Sequence, residues 1–203
     1  MTLRIFVPRD AAALSVGAHE VALAIRAEIE KHGIDAKIVR TGTRGMLFLE
    51  PLVEIETPAG RVGYGPVDVE DVAQLFAAGF PLDVSHPTRI GLVEQHPYFA
   101  SQQRLIFARC GITDPLSIEE YAAHGGLKGL RKALAMAPAD IVQQVTDSGL
   151  RGRGGAGFPT GIKWKTVLGA AADQKYIVCN ADEGDSGTFA DRMLMEGDPF
   201  TLI

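Results

Sequence analysis

The stretch LRGRGGAGFPTG (150–161) places five glycines and two arginines within twelve residues. From Gly152 to Gly157 its literal pattern is GxGxxG. A dinucleotide-binding fingerprint of that form requires a strand before it and a helix opening inside it. Here the preceding segment, Pro138-Ala-Asp-Ile-Val-Gln-Gln-Val145, reads as a helix with proline at its first position and Ile141, Val142 and Val145 on one face. The phosphate-loop pattern also fails, because Gly161 is followed by Ile162 and only then by Lys163. The chemistry shared by the two rejected motifs remains: glycines let backbone N–H groups approach a ligand closely and take positive φ, and phosphate oxygens are the usual target. A flexible linker is the competing explanation, but flexible linkers favour serine and carry no Phe-Pro-Thr.

Working outward, Thr160-Gly-Ile-Lys-Trp164 is expected to open a helix with Thr160 as N-cap and with Ile162, Trp164, Val167, Leu168 and Ala171 as its apolar positions. A helix N-terminus with Arg151, Arg153 and Lys163 nearby suits an anion. Lys175-Tyr-Ile-Val-Cys179 reads as a short apolar strand that runs into Asn180-Ala-Asp182-Glu183-Gly-Asp185. Ligands of open α/β sheets sit beyond the carboxyl ends of strands, so Asn180, Asp182 and Glu183 are candidates to hydrogen-bond a ring system or a ribose. The same carboxylates match a calcium loop only in acidity, since the twelve-residue spacing to a closing glutamate is absent, and no metal ligand is assigned.

Composition bounds the rest. The chain has 203 residues, 46% hydrophobic and 22% charged, with room for one large or two smaller globular domains. A net charge of -5 gives no global attraction to nucleic acid or anionic membrane, so any basic site is local. No stretch approaches the roughly 20 apolar residues that span a bilayer, and the apolar run in MTLRIFVPRD is too short for a signal peptide; a cytoplasmic location is expected. Cys110 and Cys179 are far apart and without CxxC or CxxxC partners, which suits two buried, inert thiols rather than a disulfide framework or a cluster.

Residues 1–79 read as one unit of order β-α-β-β-β-α. Leu3–Val7 and Ala36–Arg40 are strands, and between them Val21, Ile25 and Ile29 give a helix from Ser15 to Lys31 its apolar stripe, ended by Gly33. Leu52–Thr57 alternates before a Pro58-Ala-Gly60 turn and a returning strand from Arg61 to Tyr64. A helix capped by Asp68 and ended by Gly79 closes the unit. Residues 80–100, with Pro81, Pro87 and Pro97, are expected to be a linker, and 101–203 a second domain that begins with helices over 102–109, from 113, and over 126–137.

SGLRGRGGAGFPTGIKWK (148–165) followed by KYIVCNADEGDSGTFADR (175–192) resembles the family of flavin- and NADH-binding subunits of respiratory complex I and its soluble relatives. That resemblance implies an α/β fold holding FMN, with NAD(H) stacked against it. RTGTRGMLFLEPLVEIETPAGRVGYGP (40–66) resembles the thioredoxin-like ferredoxin domain that accompanies such flavoproteins, in which the turn after the second strand carries CxxxC. Those two positions are Thr43 and Leu47 here, and no cysteine precedes Cys110, so a [2Fe-2S] cluster in this domain is excluded on ligand chemistry. A cysteine-free thioredoxin-like domain joined to the first part of a flavin-binding α/β domain is most similar to the beta subunits of soluble, molybdenum-containing, NAD-dependent formate dehydrogenases.

The resemblance implies a cofactor cradle of Gly152, Arg153, Gly154, Gly155, Ala156, Gly157, Phe158, Pro159, Thr160 and Gly161, with Phe158 stacking on adenine and Lys163 meeting the flavin phosphate or ribityl chain. It implies flavin contacts from Asn180 and Asp182, and Glu183 near the nicotinamide; Thr166 and Asp185 stand where some relatives have phenylalanine and glutamate. No acid or base is implied: hydride passes between nicotinamide and flavin, and single electrons pass between flavin and iron-sulfur clusters. The implied partners are a molybdenum- and iron-sulfur-containing subunit and a small [2Fe-2S] subunit. Relatives continue well beyond Ile203 into a [4Fe-4S] domain, so the chain is expected to be truncated. A diaphorase subunit of an NAD-reducing hydrogenase or of complex I, and a non-redox assembly module, are the alternatives.

Overall fold

A computed structural model describes residues 2–203. Two compact units result: one runs to His124 and takes up Ala181–Ile203, and the other is Gly125–Asn180. The sequence boundaries at 79 and 100 do not coincide with this division.

In the first unit, β1 (Leu3–Pro8) lies parallel to β2 (Ala36–Thr41), with Leu3 opposite Ala36 and Pro8 opposite Thr41. β3 (Val53–Thr57) runs antiparallel to β1 with Ile5 opposite Ile55, and β4 (Gly60–Tyr64) returns beside β3 with Thr57 opposite Gly60. β5 (Arg89–Leu92) completes the sheet order β2-β1-β3-β4-β5. Between the parallel strands lie α1 (Ala11–Ser15) and α2 (Ala18–His32), and after the hairpin comes α3 (Val69–Ala77). Parallel strands need such a crossover, whereas β3 and β4 close through a tight turn. The element order over these residues follows the N-terminal pattern, and the order and directions of the first four strands are the thioredoxin-like ones that the resemblance of residues 40–66 implies.

One face of the sheet is apolar. Ile5, Val7 and Ile55 meet Val21, Ile25 and Ile29 of α2 and Val72, Leu75 and Phe76 of α3 in a single core. Each such side chain taken out of water stabilises by about 1.5–3 kcal/mol. Gly33 ends α2 in the left-handed region at φ 61, and the Ile34 N–H reaches back to the Ile29 carbonyl at 3.0 Å. Asp68 and Asp71 cap α3 reciprocally.

Strand alternation turns Phe6 and Glu54, which oppose each other, to the other face. Glu54 is buried there against Arg44, whose Nε and Nη2 donate to its two oxygens at 2.8 and 2.6 Å. The Arg61 guanidinium lies 3.3 Å from the Phe6 ring centroid and donates to the Gly111 and Ile112 carbonyls at 2.8 and 2.6 Å. The first unit also holds α4 (Pro97–Ala100), whose Phe99 ring lies 5.9 Å from the Arg44 guanidinium, α5 (Ile118–Ala123), whose Glu120 accepts from Arg4 at 2.8 Å, α9 (Ala190–Gly197) and α10 (Pro199–Leu202). The second unit holds α6 (Lys128–Leu134), α7 (Pro138–Asp147) and α8 (Thr160–Gly169).

Several sequence expectations are corrected. Residues 102–109 form turns rather than a helix, because Leu105, Ile106 and Phe107 are consecutive and provide no helical stripe; Leu105 and Ile106 are exposed. Lys175–Cys179 is not a strand: no strand among the described residues pairs with it, and Tyr176, Ile177 and Val178 are exposed. Arg89–Leu92, placed by the sequence in a linker, is an edge strand. Cys110 is buried as expected, whereas Cys179 is exposed.

Candidate functional site

The glycine-rich stretch folds as a hairpin between two helices. α7 ends at Asp147 with Ser148 as its C-cap, and Gly149 turns the chain out at φ 67. Arg151 bridges Pro159 in antiparallel fashion, flanked by Thr160 N–H donating to the Leu150 carbonyl at 2.9 Å and Gly152 N–H donating to the Phe158 carbonyl at 2.9 Å. The Arg151 guanidinium donates to the Gly157 carbonyl at 3.0 Å, and Arg153 donates to the Arg151 carbonyl at 2.9 Å. Arg153, Gly154, Gly155, Ala156 and Gly157 thus form the tip, braced by its own arginines.

The glycines do three different jobs. Gly155 and Gly157 take φ of 92 and 60, a region other residues enter at a cost, and a Cβ at either, or at Gly154, would meet nothing within 4 Å. Gly152 lies under Lys163: a Cβ there would stand 3.0 Å from the Lys163 Nζ. Gly161 is a packing residue. It is buried, and a Cβ would overlap Thr146 Oγ1 and stand 2.6 Å from Thr146 Cα, so its absence is what lets α8 cross α7 closely.

Thr160 is not the N-cap. Pro159 occupies that position, no side chain caps α8, and the Thr160 N–H is spent across the hairpin on Leu150. Lys163 is in the first turn of α8, with its ammonium over the hairpin base, and Phe158 is half exposed on the returning arm. An uncapped helix start, an open glycine tip and a cation above its base form a donor set that fits a phosphate-bearing group. Beside it, an apolar cleft of about 530 Å³ is lined by Pro138, Ile141, Val142, Trp164, Val167 and Tyr176, among others.

Asn180 ends the second unit, and Asp182 and Glu183 belong to the first. Glu183 has a left-handed backbone, φ 40, and its carboxylate accepts from the N–H groups of Asp191 at 2.9 Å and Arg192 at 3.1 Å, in the first turn of α9. Desolvation pushes its pKa upward, but these amides and the Arg192 charge outweigh it and hold the group below its ordinary value. Sequence reasoning missed this capping role, the brace from Arg151 and the contact between Thr146 and Gly161. The first two depend on chain turns without periodicity. The third had one signal, a glycine inside an expected apolar helix.

Elsewhere, burial pushes the Cys110 thiol up to about 11, with Asp198 reinforcing the shift, so this cysteine is inert. Thr43, at a position where the resembled domain carries CxxxC, is buried and donates to Glu50, while Leu47 begins a 3-10 turn. No group of three His, Cys, Asp or Glu among the described residues could hold a metal ion. No helix among them is long and apolar enough to cross a membrane.

Residues 145–203 match the Nuo51 FMN-binding domain. The NADP-reducing hydrogenase subunit HndC of Solidesulfovibrio fructosivorans is 58% identical over 102 residues, which are 50% of this chain and 21% of that protein. An NADH-quinone oxidoreductase subunit of Rhizobium meliloti is 55% identical over 93 residues, 45% of this chain and 22% of that protein. The matched region is thus about a fifth of the length of these relatives. Among solved structures, a variant of the thioredoxin-like [2Fe-2S] ferredoxin of Aquifex aeolicus is 22% identical over 44% of this chain and 98% of its own, with a TM-score of 0.39; at that score the likeness carries no further conclusion. Residues 145–203, glycine hairpin included, are therefore similar to the Nuo51 FMN-binding domain of the complex I-like flavoprotein subunits.

Proposed function

We propose that this chain contributes to an NAD(H):flavin oxidoreductase, a diaphorase-type electron-transfer subunit, by holding FMN against the hairpin of residues 152–161. The observation that carries the proposal is the hairpin itself: an open, positive-φ glycine tip with Lys163 over its base, inside the region that matches an FMN-binding domain. The tip from Arg153 to Gly157 lays backbone against the cofactor. Lys163 neutralises phosphate charge, Phe158 offers a ring face for adenine, and Pro159, Thr160 and Gly161 fix the start of α8 behind them. Asn180 and Asp182 hydrogen-bond the flavin, and Glu183 stands near the nicotinamide. When bound, FMN supplies the capacity to take a hydride as two electrons and release them singly. The residues themselves bind and orient it.

The finer reading is the beta subunit of a soluble NAD-dependent formate dehydrogenase, cytoplasmic, with a molybdenum- and iron-sulfur-containing partner and a small [2Fe-2S] partner. It rests on residues 1–79, which resemble a thioredoxin-like domain and carry no cysteine, joined to the flavin-binding part. Similarity to HndC, and to the alpha subunit of the NAD-reducing hydrogenase HoxS of Cupriavidus necator at 50% identity over 70 residues, favours a hydrogenase diaphorase as the second reading. Molybdenum in the co-purified complex decides for formate dehydrogenase, and nickel for hydrogenase. The shared claim is tested by ¹⁵N-resolved NMR of the chain titrated with FMN. Shifts concentrated at the amides of Gly154, Gly155, Ala156, Gly157 and Lys163 support it; shifts elsewhere, or none, reject it.

A further inference from the structure

We infer that the cavity between α1, α9 and the loop after β2 binds a small organic cation, an alkylammonium or guanidinium group, with Asp10 as its anionic anchor. The inference is independent of the flavin reading. The cavity measures about 370 Å³, within the range of small-ligand pockets, and lies wholly in the first unit. Thr43 and Leu47, the positions at which the resembled ferredoxin domain carries CxxxC, are in its wall. Asp10 is in the wall too, and is only 5% exposed. Its Oδ1 accepts from the N–H groups of Ala12 and Ala13 at 3.1 and 3.3 Å, while its buried Oδ2 has no hydrogen-bond partner among the described residues. Folded proteins rarely leave a buried acceptor unpaired, so this oxygen calls for a donor. The neighbouring donors are spent: Thr43 donates to Glu50, Ser15 Oγ to the Ala12 carbonyl at 2.7 Å, and the Ala11 N–H to Glu196 at 2.6 Å. Arg192 is engaged as well, with its Nε 3.8 Å from Glu196 and its guanidinium 5.6 Å from the Phe189 ring centroid.

The wall sets the sign and the form of the ligand. Asp10 and Glu196 place two carboxylates against the one guanidinium of Arg192, and Glu50 adds a third acid near Asp10. Ala12, Leu47, Phe189 and Met193 supply apolar surface, and no group of three acids, cysteines or histidines among the described residues could hold a metal ion. A charged head on a short alkyl stem therefore fits, and a bare metal ion does not. Burial holds the Asp10 carboxyl above its ordinary range, with Glu196 adding to the shift against the amides of Ala13 and Ala12; a cation beside it acts in the opposite direction.

The test titrates the isotopically labelled chain with n-butylammonium, and with n-butanol and butyrate as its uncharged and anionic counterparts, reading backbone amides and the Asp10 carboxyl by NMR. Saturable shifts at the amides of Ala12, Ala13 and Leu47 are expected with butylammonium alone, together with a fall in the Asp10 pKa. Asp10→Asn keeps an oxygen for the Ala12 and Ala13 amides but removes the charge, and should weaken binding by on the order of ten-fold or more. Ala12→Leu fills the cavity and leaves the Asp10 cap intact, so it should abolish binding even where Asp10→Asn fails to fold. Equal binding of butanol would reduce the cavity to an apolar pocket and overturn the inference. Binding of butyrate, no saturable shift, or undiminished butylammonium binding by either variant would overturn it as well.

Discussion

Gly161→Ala is predicted to pry α8 from α7. The new Cβ would stand 2.6 Å from Thr146 Cα, against about 3.4 Å for an ordinary contact, so the helix backbones must separate by about 0.8 Å (3.4 − 2.6) at their crossing. Thr146 Oγ1, which the Cβ would also overlap, is held by its bond to the Val142 carbonyl at 2.8 Å, and rotating it away leaves the Cα clash in place. Overpacking of this kind costs about 1–3 kcal/mol. For a unit of this size, that lowers the midpoint by roughly 4–8 °C per kcal/mol. Gly129, in α6, has nothing within 4 Å of its would-be Cβ, so Gly129→Ala should be neutral or stabilising by up to about 1 kcal/mol through helix propensity. Calorimetry on both variants, with hydrogen exchange read at the α7 and α8 amides, separates the two effects. If Gly161→Ala melts with the starting chain and its α7 and α8 amides stay equally protected, the reasoning from the close crossing is wrong.

Glu50 makes stability pH-dependent: burial pushes its carboxyl up to about 7, against the opposing hydrogen bonds from Thr43 and the Leu52 N–H. The folded state therefore keeps a proton that the unfolded chain releases near its ordinary value, and stability falls as pH rises from about 4.5 to about 7, by at most about 3 kcal/mol. Glu50→Gln should flatten that slope in urea titrations run at about pH 5 and about pH 8, with Asp10, also raised by burial, leaving a residual slope of the same sign. Glu183→Ala should expose the amides of Asp191 and Arg192 to faster hydrogen exchange. Because the folded Glu183 pKa is lowered, its capping contribution is present above the unfolded value and disappears as pH falls through the folded one.

The N-terminal elements were legible because their signals are local. Val21, Ile25 and Ile29 repeat at helical spacing and are buried together, and the Pro58-Ala-Gly60 turn stands between two alternating runs that pair in register. Arg89–Leu92 was missed because a four-residue edge strand among prolines has no periodicity of its own; it exists by pairing with β4 across an irregularity at Gly63 and Tyr64. Tyr176-Ile-Val178 failed in the opposite direction. It has strong strand propensity but nothing among the described residues to pair with, and propensity without a partner does not make a strand. In the site, residue types pointed to an anion cradle, but the division of labour among the glycines did not show. Gly152, Gly155 and Gly161 look alike in sequence and differ in what lies beside each: a lysine end, open space and a helix backbone.

The central claim is that the hairpin holds FMN within reach of NAD(H). It is tested most directly by reconstituting the chain with FMN under anaerobic conditions, adding NADH and following the visible flavin band. The account predicts a bound flavin whose band bleaches on addition of NADH, with binding lost in Lys163→Gln. A chain that retains no flavin, or whose bound flavin NADH leaves unbleached, would contradict it.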